Sequence, residues 1–587
     1  MASYTAPLRE INFVLNDVLK VGRLAETLPA FADATPEVFT EMIETAAKFC
    51  EKELFPLSAP GDAQGCTRHP DGSVTLPDGF KEAFHKYAAN GYVGLPNTTE
   101  YGGLGLPYTM AKVVEEMACS ANVGFALFPG LTTGCFEAIL ANGNEEQKNT
   151  YLPKLGAGEW AGTMCLTEPQ AGSDLGAVKT KATPQADGTF KLDGSKIFIT
   201  GGEHDCTPNI VHFVLARVDG APAGVKGLST FVVSKFTLNA DGSPTTARNG
   251  VTCSSIEHKM GIHGSCTCVI NFDGAVGTMI GKPGEGIMNM FVMMNLARIL
   301  VGVQGLGLCE LATQNAIRYA LDRKQGKTFN GQPTIADHPD VRRMLLTMKA
   351  VTEGARVLAY ETGMYVDLAH HHEDAAVREE ANDWVELNTP LVKGYCTDMA
   401  VDLGSMAIQV YGGHGFIREH GVEQILRDSK ILCLYEGTNG IQAMDLVRRK
   451  LFLSEGRAVT RFFALVGKAA TDASPDFAFI SEPLKKALSD LEFATRWIHE
   501  TFKSKPEEAS FGCCDYLRAF SLVYLGYNWL RMAQAAAAQG DENFKAAKLN
   551  TARFFASKLL TQVTPLCETV KSGAGEFMSL PAAQLAA

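Results

Sequence analysis

The strongest constraint on the fold is a change of texture along the chain. Up to about residue 160, apolar residues recur three and four apart, as in 37–52 and 110–120, which is the spacing of an amphipathic helix. Between 163 and 282 they gather in short runs rich in β-branched and aromatic residues, at 190–200, 210–217, 228–233 and 268–272. Turn dipeptides at Asp187-Gly188, Asp193-Gly194 and Asp241-Gly242 punctuate that region and mark hairpins. From 284 onward helical spacing returns, in 286–319 and 339–369. The expected architecture is α+β and multidomain: an N-terminal helical domain (1–162), a middle β domain (163–282), a C-terminal helical bundle (283–452) and a helical extension (453–587). Gly and Pro at 56–79 and 102–107 predict two long loops in the first domain. The extension is expected to hold helices over 482–502, 513–539 and 542–571. The middle one is apolar nearly all round, through Leu517, Phe520, Leu525, Trp529 and Met532, so it is expected to pack between the extension and the body or against a second subunit.

Composition excludes several classes. A net charge of −12 argues against a nucleic-acid binder, which presents a basic face. The fifteen cysteines are scattered with no Cys-x-x-Cys pair and read as reduced core thiols. The N-terminus lacks a basic flank followed by an apolar core, and no stretch looks like an uninterrupted membrane span, so a cytoplasmic protein without membrane contact is expected. His370, His371 and His372 lie in a polar stretch without a spaced partner cluster, which predicts a solvated loop and no metal site. Met288, Met290, Met293 and Met294 read as adaptable core.

Two stretches carry chemistry. In Ile431 to Thr438 an apolar run delivers one carboxylate, Glu436, to a turn at Gly437. An apolar setting disfavours a charged carboxylate, which suits a group that takes up a proton near neutral pH. The plain alternative is a surface Glu at a helix end with Thr438 as a cap. Far upstream, the run from Met164 to Ala177 combines Thr167, Ser173 and small-residue turns that can wrap a phosphate or a ring edge.

With Lys196-Ile197-Phe198-Ile199-Thr200-Gly201-Gly202 and Gln409-Val410-Tyr411-Gly412-Gly413-His414-Gly415-Phe416 between them, these motifs, in this order, make the chain resemble the acyl-CoA dehydrogenase family from about Phe39 to Arg449. The resemblance implies FAD as cofactor, an acyl-CoA thioester as substrate, and an electron-transfer flavoprotein as electron acceptor. By motif, Glu436 would be the base that removes the α proton, flanked at the thioester by Tyr435 and Gly437. Ala297 stands where a few relatives carry the base instead, and alanine cannot serve. Thr167, Phe198 and Thr200 would meet the flavin ring, and Ser173 the pyrophosphate and CoA arm. Arg323, Gln409, Gly413 and Thr438 would contact the adenine half, in part across subunits, which implies a homodimer. Asn295 and Arg298 would lie near the CoA moiety.

The chain departs from the family pattern at Phe198, where a Trp is common, at Gln424, where a basic residue is usual, and in a polar insertion at 328–340 after Arg323. The insertion and the extension resemble the family's long bacterial subgroup. That resemblance implies 3-methylmercaptopropionyl-CoA as substrate in dimethylsulfoniopropionate catabolism, with Phe125, Phe128 and Pro129 limiting tail length or simply packing the core. A short- or medium-chain fatty acyl-CoA remains an alternative, as does a flavin oxidase or monooxygenase on the same fold.

Overall fold

The computed structural model describes residues 2–586. They form two compact units, Glu37–Leu300, and Met1–Pro36 together with Val301–Ala587.

In the first unit, helices Pro36–Phe49, Phe55–Gln64, Phe80–Ala89, Tyr108–Asn142 and Glu145–Gly156 precede a seven-stranded sheet. The loop expected over 56–79 is shorter than predicted, because residues 55–64 are helical despite Pro56 and Pro60. Pro56 sits in the first turn, where no backbone N–H is needed. The 35-residue helix Tyr108–Asn142 breaks at Asn122 (φ −160°, ψ 87°), where the Asn122 side chain accepts the Phe125 N–H at 3.1 Å and restarts the helix.

The sheet strands are β1 (Ala161–Cys165), β2 (Lys181–Pro184), β3 (Phe190–Thr200), β4 (Ile210–Val218), β5 (Leu228–Ser234), β6 (Val251–Ile256) and β7 (Thr267–Ile280). Their order is β6-β7-β3-β2-β4-β1, with β5 pairing both β7 and β4. The pairs β1/β4 and β2/β4 are parallel and the rest antiparallel. Helix Tyr108–Asn142 lies on β1, and the approach is so close that a Cβ on Gly162 would sit 2.5 Å from that of Cys135. Around this contact Phe136, Ile139, Leu152, Trp160, Phe213, Met290 and Met293 form a buried core. Met290, Met293 and Met294 are core as expected, whereas Met288 is exposed.

The second unit contains the remainder of Gly286–Asp322, then Pro339–His371, Ala375–Tyr411, Val422–Lys430 and Asn439–Arg448, followed by the extension helices Arg457–Asp472, Ala478–Phe502, Cys513–Ala537, Glu542–Phe554 and Val563–Lys571. The single helix expected over 542–571 is interrupted by π and 3-10 turns at Phe555–Leu559 and Leu560–Gln562. Helix Cys513–Ala537 lies between the extension and the bundle, the first of the two expected placements. Trp529 Nε1 donates to Ala350 O at 2.9 Å and Asn528 Nδ2 to Gly354 O at 3.1 Å, so even its polar atoms are spent on the bundle. The N-terminal segment is tied in here too: buried Lys548 bridges Glu10 and Glu353, and Ser3 N–H donates to Asn315 Oδ1 at 2.9 Å. His370 and His371 belong to the last turn of a helix, not to a loop, and His371 packs edge-on against Phe31 at 4.9 Å.

Two helices correct the expectation that no stretch is span-like. Tyr108–Asn142 and Gly286–Asp322 are long and apolar enough to cross a membrane by length and composition, but 67% of each apolar window is buried inside the protein. They pass the test because they are core helices.

Candidate functional site

In the first unit the site is organised by one buried carboxylate that was not singled out from the sequence. Glu168 accepts from Thr180 N–H (3.0 Å), Thr180 Oγ1 (2.6 Å), Lys179 N–H (2.8 Å), Gln170 Nε2 (2.6 Å) and Lys196 Nζ (2.8 Å). Burial alone would raise its pKa, but the Lys196 ammonium and the hydrogen bonds outweigh it and pull the carboxyl down to about 2. Lys196 also donates to Leu166 O at 2.9 Å. The 168–180 loop, with Ser173 exposed on it, is thereby closed on itself and locked to β3. Lys196 falls on the same strand face as buried Leu192, two positions from Gly194, and abuts the apolar run Ile197-Phe198-Ile199, and that placement is the signal available in the sequence.

One residue further along, β3 bulges. Lys196 pairs with Ile270 and Ile199 with Cys268, so Ile197 and Phe198 together face the single residue Val269. The extra residue frees Ile197 N–H to donate to Thr167 O at 2.9 Å, and it turns Phe198 to φ +61°. Phe198 is left 59% exposed beside the half-buried Thr167 and Thr200. The structure thus gathers Thr167, Phe198 and Thr200 where β3 ends, at one end of the sheet, with Ser173 on the adjoining loop.

Asn295 and Arg298 lie one turn apart on helix Gly286–Asp322, and Arg298 is buried with its guanidinium 5.6 Å from the Phe291 ring. The same helix presses Met293 against Gly134 and Leu300 against Gly130. Phe125 and Phe128 are fully buried in an aromatic group with Phe80, Phe84 and Tyr87, and Phe128 also packs under Gly201.

In the second unit Tyr435, Glu436, Gly437 and Thr438 form one corner. Helix Val422–Lys430 runs through a 3-10 turn, Ile431–Cys433, and then two successive residues are left-handed: Glu436 at φ +54° and Gly437 at φ +84°. Glycine adopts this freely, but a side chain does so at about 1–2 kcal/mol, so Glu436 is held by its surroundings. Fully buried Lys393, on helix Ala375–Tyr411, donates to Gly437 O and to Asn439 Oδ1, each at 2.7 Å. Gln442 Nε2 donates to Glu436 O at 3.2 Å, and the Tyr435 hydroxyl donates to Gln304. Asn439 Nδ2 in turn reaches Asp398 at 2.7 Å and Thr397 at 2.9 Å. Thr438 does cap the helix that follows, its hydroxyl oxygen accepting the Ile441 N–H at 3.2 Å. The cap is real, and it sets the start of the helix that follows the Glu436 turn. Lys393, Asn439 and Gln442 were not picked from the sequence, although Lys393 interrupts an otherwise apolar run from Leu391 to Cys396.

Arg323, Gln409 and Gly413 are exposed and share a second locality of this unit. One turn before Arg323, Tyr319 stacks on Tyr411 with ring centroids 4.0 Å apart, and its hydroxyl bonds His414 Nδ1 at 2.9 Å. The insertion after Arg323 folds back on itself, with Ile335 N–H donating to Arg323 O at 2.8 Å and Lys324 bridging Thr334.

Family models described as the N-terminal, middle and C-terminal domains of acyl-CoA dehydrogenases match residues 37–159, 163–275 and 284–451, and one described as acetyl-CoA dehydrogenase C-terminal like matches 461–581. The 3-methylmercaptopropionyl-CoA dehydrogenase of Ruegeria pomeroyi is 41% identical over 571 residues, covering 95% of this chain and 96% of that one. The chain belongs to the acyl-CoA dehydrogenase family. A butyryl-CoA dehydrogenase of Syntrophomonas wolfei is 34% identical over 605 residues, covering 99% of this chain and 98% of that protein. Among solved structures, an acyl-CoA dehydrogenase from Bacillus anthracis complexed with FAD shares the fold, with a TM-score of 0.76 at 23% identity over 92% of this chain and 88% of that one.

This acyl-CoA dehydrogenase has the fold expected from its sequence, three family domains plus a C-terminal extension, and it is an FAD-dependent oxidoreductase. Its residues fit the cofactor. This end of the sheet offers two half-buried hydroxyls and an exposed aromatic ring, and Gly172, Gly412 and Gly413 each have open space where a side chain would stand. Within the first unit, Thr167, Thr200 and Phe198 are the groups that could hold the ring and Ser173 the phosphates. FAD supplies the hydride acceptor that no side chain provides.

Proposed function

We propose that the substrate is 3-methylmercaptopropionyl-CoA, that the product is methylthioacryloyl-CoA, and that Glu436 is the base. The observation that carries the role of Glu436 is the corner itself. A non-glycine residue is kept left-handed by Lys393 and Gln442, and strain of this kind is retained where the carboxylate has to be aimed. Glu436 takes the α proton, and its aim and proximity lower the barrier before any charge develops. The Glu436 N–H polarises the thioester carbonyl as the α carbon becomes electron-rich. Arg298 and Asn295 serve the CoA arm, with Ser173 at its phosphates and Tyr435 and Gly437 shaping the acyl end. Support for the sulfur-bearing substrate is the 41% identity to the Ruegeria pomeroyi enzyme across nearly the whole of both chains.

The same reading places the protein in the cytoplasm, in dimethylsulfoniopropionate catabolism, as a homodimer that passes electrons to an electron-transfer flavoprotein. The exposure of Arg323, Gln409 and Gly413, with Phe416 83% exposed beside them, supports a partner subunit at that locality. Light scattering is expected to give twice the mass of the 63.2 kDa chain, and a tetramer mass would reject the dimer.

The deciding experiment is an anaerobic titration of the FAD-loaded protein with 3-methylmercaptopropionyl-CoA, butyryl-CoA and octanoyl-CoA, followed by flavin absorbance. Preferential bleaching by the sulfur compound is the expected result. A preference for octanoyl-CoA would move the enzyme to fatty-acid oxidation, and fast reoxidation by air would make it an oxidase. Glu436→Gln is expected to lose about 10³-fold or more of the bleaching rate while keeping its FAD. Retention of the rate would remove Glu436 from its role.

A further inference from the structure

The first unit contains a row of four thiols that dehydrogenation does not use. Cys66 follows helix Phe55–Gln64, Cys253 lies on β6, and Cys266 and Cys268 enter and begin β7. The Cys66 thiol is in hydrogen-bonding reach of Cys266, Cys266 of Cys268, and Cys268 of Cys253. Each is also tethered to backbone: Cys66 Sγ donates to His263 O at 3.5 Å, Cys253 Sγ to Ser255 O at 3.3 Å, and Cys266 and Cys268 both point at Glu203 O, at 3.1 and 3.9 Å. The His263 ring is fixed in turn, by Lys259 O at 2.7 Å and by the Asp62 carboxylate at 2.9 Å. Cys66 is half-buried while the other three are buried, so solvent meets the row at one end only. Among the described residues no cluster has the arrangement of a metal site.

The row adjoins the flavin edge. Gly201 N–H donates to Cys266 O at 2.9 Å, Thr200 pairs with Thr267, and Ile199 pairs with Cys268. A Cβ on Gly202 would stand 3.0 Å from that of Cys268, so this stretch of β7 cannot shift without moving 200–202.

We propose that Cys66 and Cys266 are a reversible dithiol, oxidised by hydrogen peroxide to a disulfide that displaces the Thr200 edge. Peroxide meets the accessible thiol first: Cys66–SH and H₂O₂ give Cys66–SOH and water. The Cys266 sulfur then attacks the sulfenyl sulfur of Cys66, an S–S bond forms, the S–O bond breaks, and the second water leaves. The two thiols together lose two electrons and two protons to the peroxide. The environment suits the resolving role of Cys266, whose thiol is held well below its ordinary range by hydrogen bonds from Cys268 and Cys66, with burial opposing. Cys66 is held up by the same contact to Cys266, so its S–H proton leaves with the departing peroxide oxygen as its sulfur attacks, and this first oxidation is the slow step. Cys266 and Cys268 are a poor disulfide for each other, because residues two apart on a strand are about 6.6 Å apart with side chains in parallel, near the limit of disulfide geometry.

The test treats the FAD-loaded enzyme with a molar excess of hydrogen peroxide, blocks free thiols with N-ethylmaleimide, and maps unreduced peptides by mass spectrometry. The expected result is a linked peptide pair joining Cys66 to Cys266, a fall of two in the fifteen free thiols, and a change in the visible flavin spectrum that dithiothreitol reverses. Cys66→Ser, at a half-buried position, is expected to fold, to keep Cys266 reduced and to abolish the spectral change. Cys266→Ser is expected to leave Cys66 as a sulfenic acid that dimedone traps. Linkage of other cysteines, thiol loss unaltered in Cys66→Ser, or no thiol loss at all would each overturn the proposal.

Discussion

Lys393 is the residue on which the geometry of the Glu436 corner is proposed to depend, and Lys393→Met tests it at nearly constant volume. Methionine fills the buried path of the side chain and removes two donors, those to Gly437 O and Asn439 Oδ1. Asn439 Oδ1 keeps a bond from Thr397 Oγ1 at 3.2 Å, so the group stranded is the Gly437 carbonyl. A stranded buried acceptor costs about 1–3 kcal/mol, and the left-handed Glu436 beside it already costs about 1–2 kcal/mol. The two are similar in size, so the cheapest response is for the corner to relax, releasing the strain and giving the carbonyl water. Glu436 then points away from its target for most of the time. A shift of about 2 kcal/mol in that equilibrium corresponds to a roughly 30-fold lower rate of flavin bleaching at saturating substrate. FAD content is expected to stay near stoichiometric, because Thr167, Phe198 and Thr200, the groups expected to meet the flavin, are untouched. The assay is anaerobic stopped-flow bleaching with 3-methylmercaptopropionyl-CoA, with flavin-to-protein ratio and thermal midpoint measured alongside. A bleaching rate within twofold of the parent in a fully loaded Lys393→Met enzyme would refute the claim that this lysine aims Glu436. Loss of FAD without loss of rate per flavin would do the same.

Other perturbations separate the remaining parts. Glu168→Gln leaves buried Lys196 without its carboxylate and is expected to cost about 3–5 kcal/mol, read as a lower denaturation midpoint and weaker FAD retention. Adding Lys196→Met is expected to recover part of that loss, and failure to recover any would mean the pair is not the source. The Glu168 carboxyl also gives the loop a pH dependence. Its folded pKa is about 2 against an ordinary 4.5, so its contribution is fully present above about 4.5 and is lost as pH falls from there toward 2. The difference is worth about 3 kcal/mol, and flavin release followed by visible absorbance across that window is expected to move with it. Phe198→Gly is expected to raise the denaturation midpoint slightly, since it removes a left-handed side chain that is 59% exposed and buries little. A clear drop would mean the ring is packed.

The order of blocks, helical then β then helical, was legible because periodicity is a local property, written within each segment. The strands at 190–200, 210–217 and 228–233 and the apolar helix beginning at Cys513 follow from it almost residue for residue. Glu436 and Thr438 were legible as a turn and a cap for the same reason. Helix Phe55–Gln64 is loop-like in sequence, because its two prolines hide a helix that depends on tertiary packing absent from the local pattern. Likewise the two core helices Tyr108–Asn142 and Gly286–Asp322 are span-like in composition, and only their burial says where they belong.

What holds the site was beyond local reading. Lys393 meets Gly437 across 44 positions and Glu168 meets Lys196 across 28, and no periodicity links such partners. The sequence by itself determined the succession of helical and β segments and the family, and it singled out Glu436 as the candidate base. Only the tertiary structure decided that a buried lysine bonds the corner beside left-handed Glu436, that a strand bulge turns Phe198 outward, and that four scattered cysteines stand in one row. Backbone strain and buried charge are tolerated only where distant groups converge to hold them, and that convergence exists only in the folded chain.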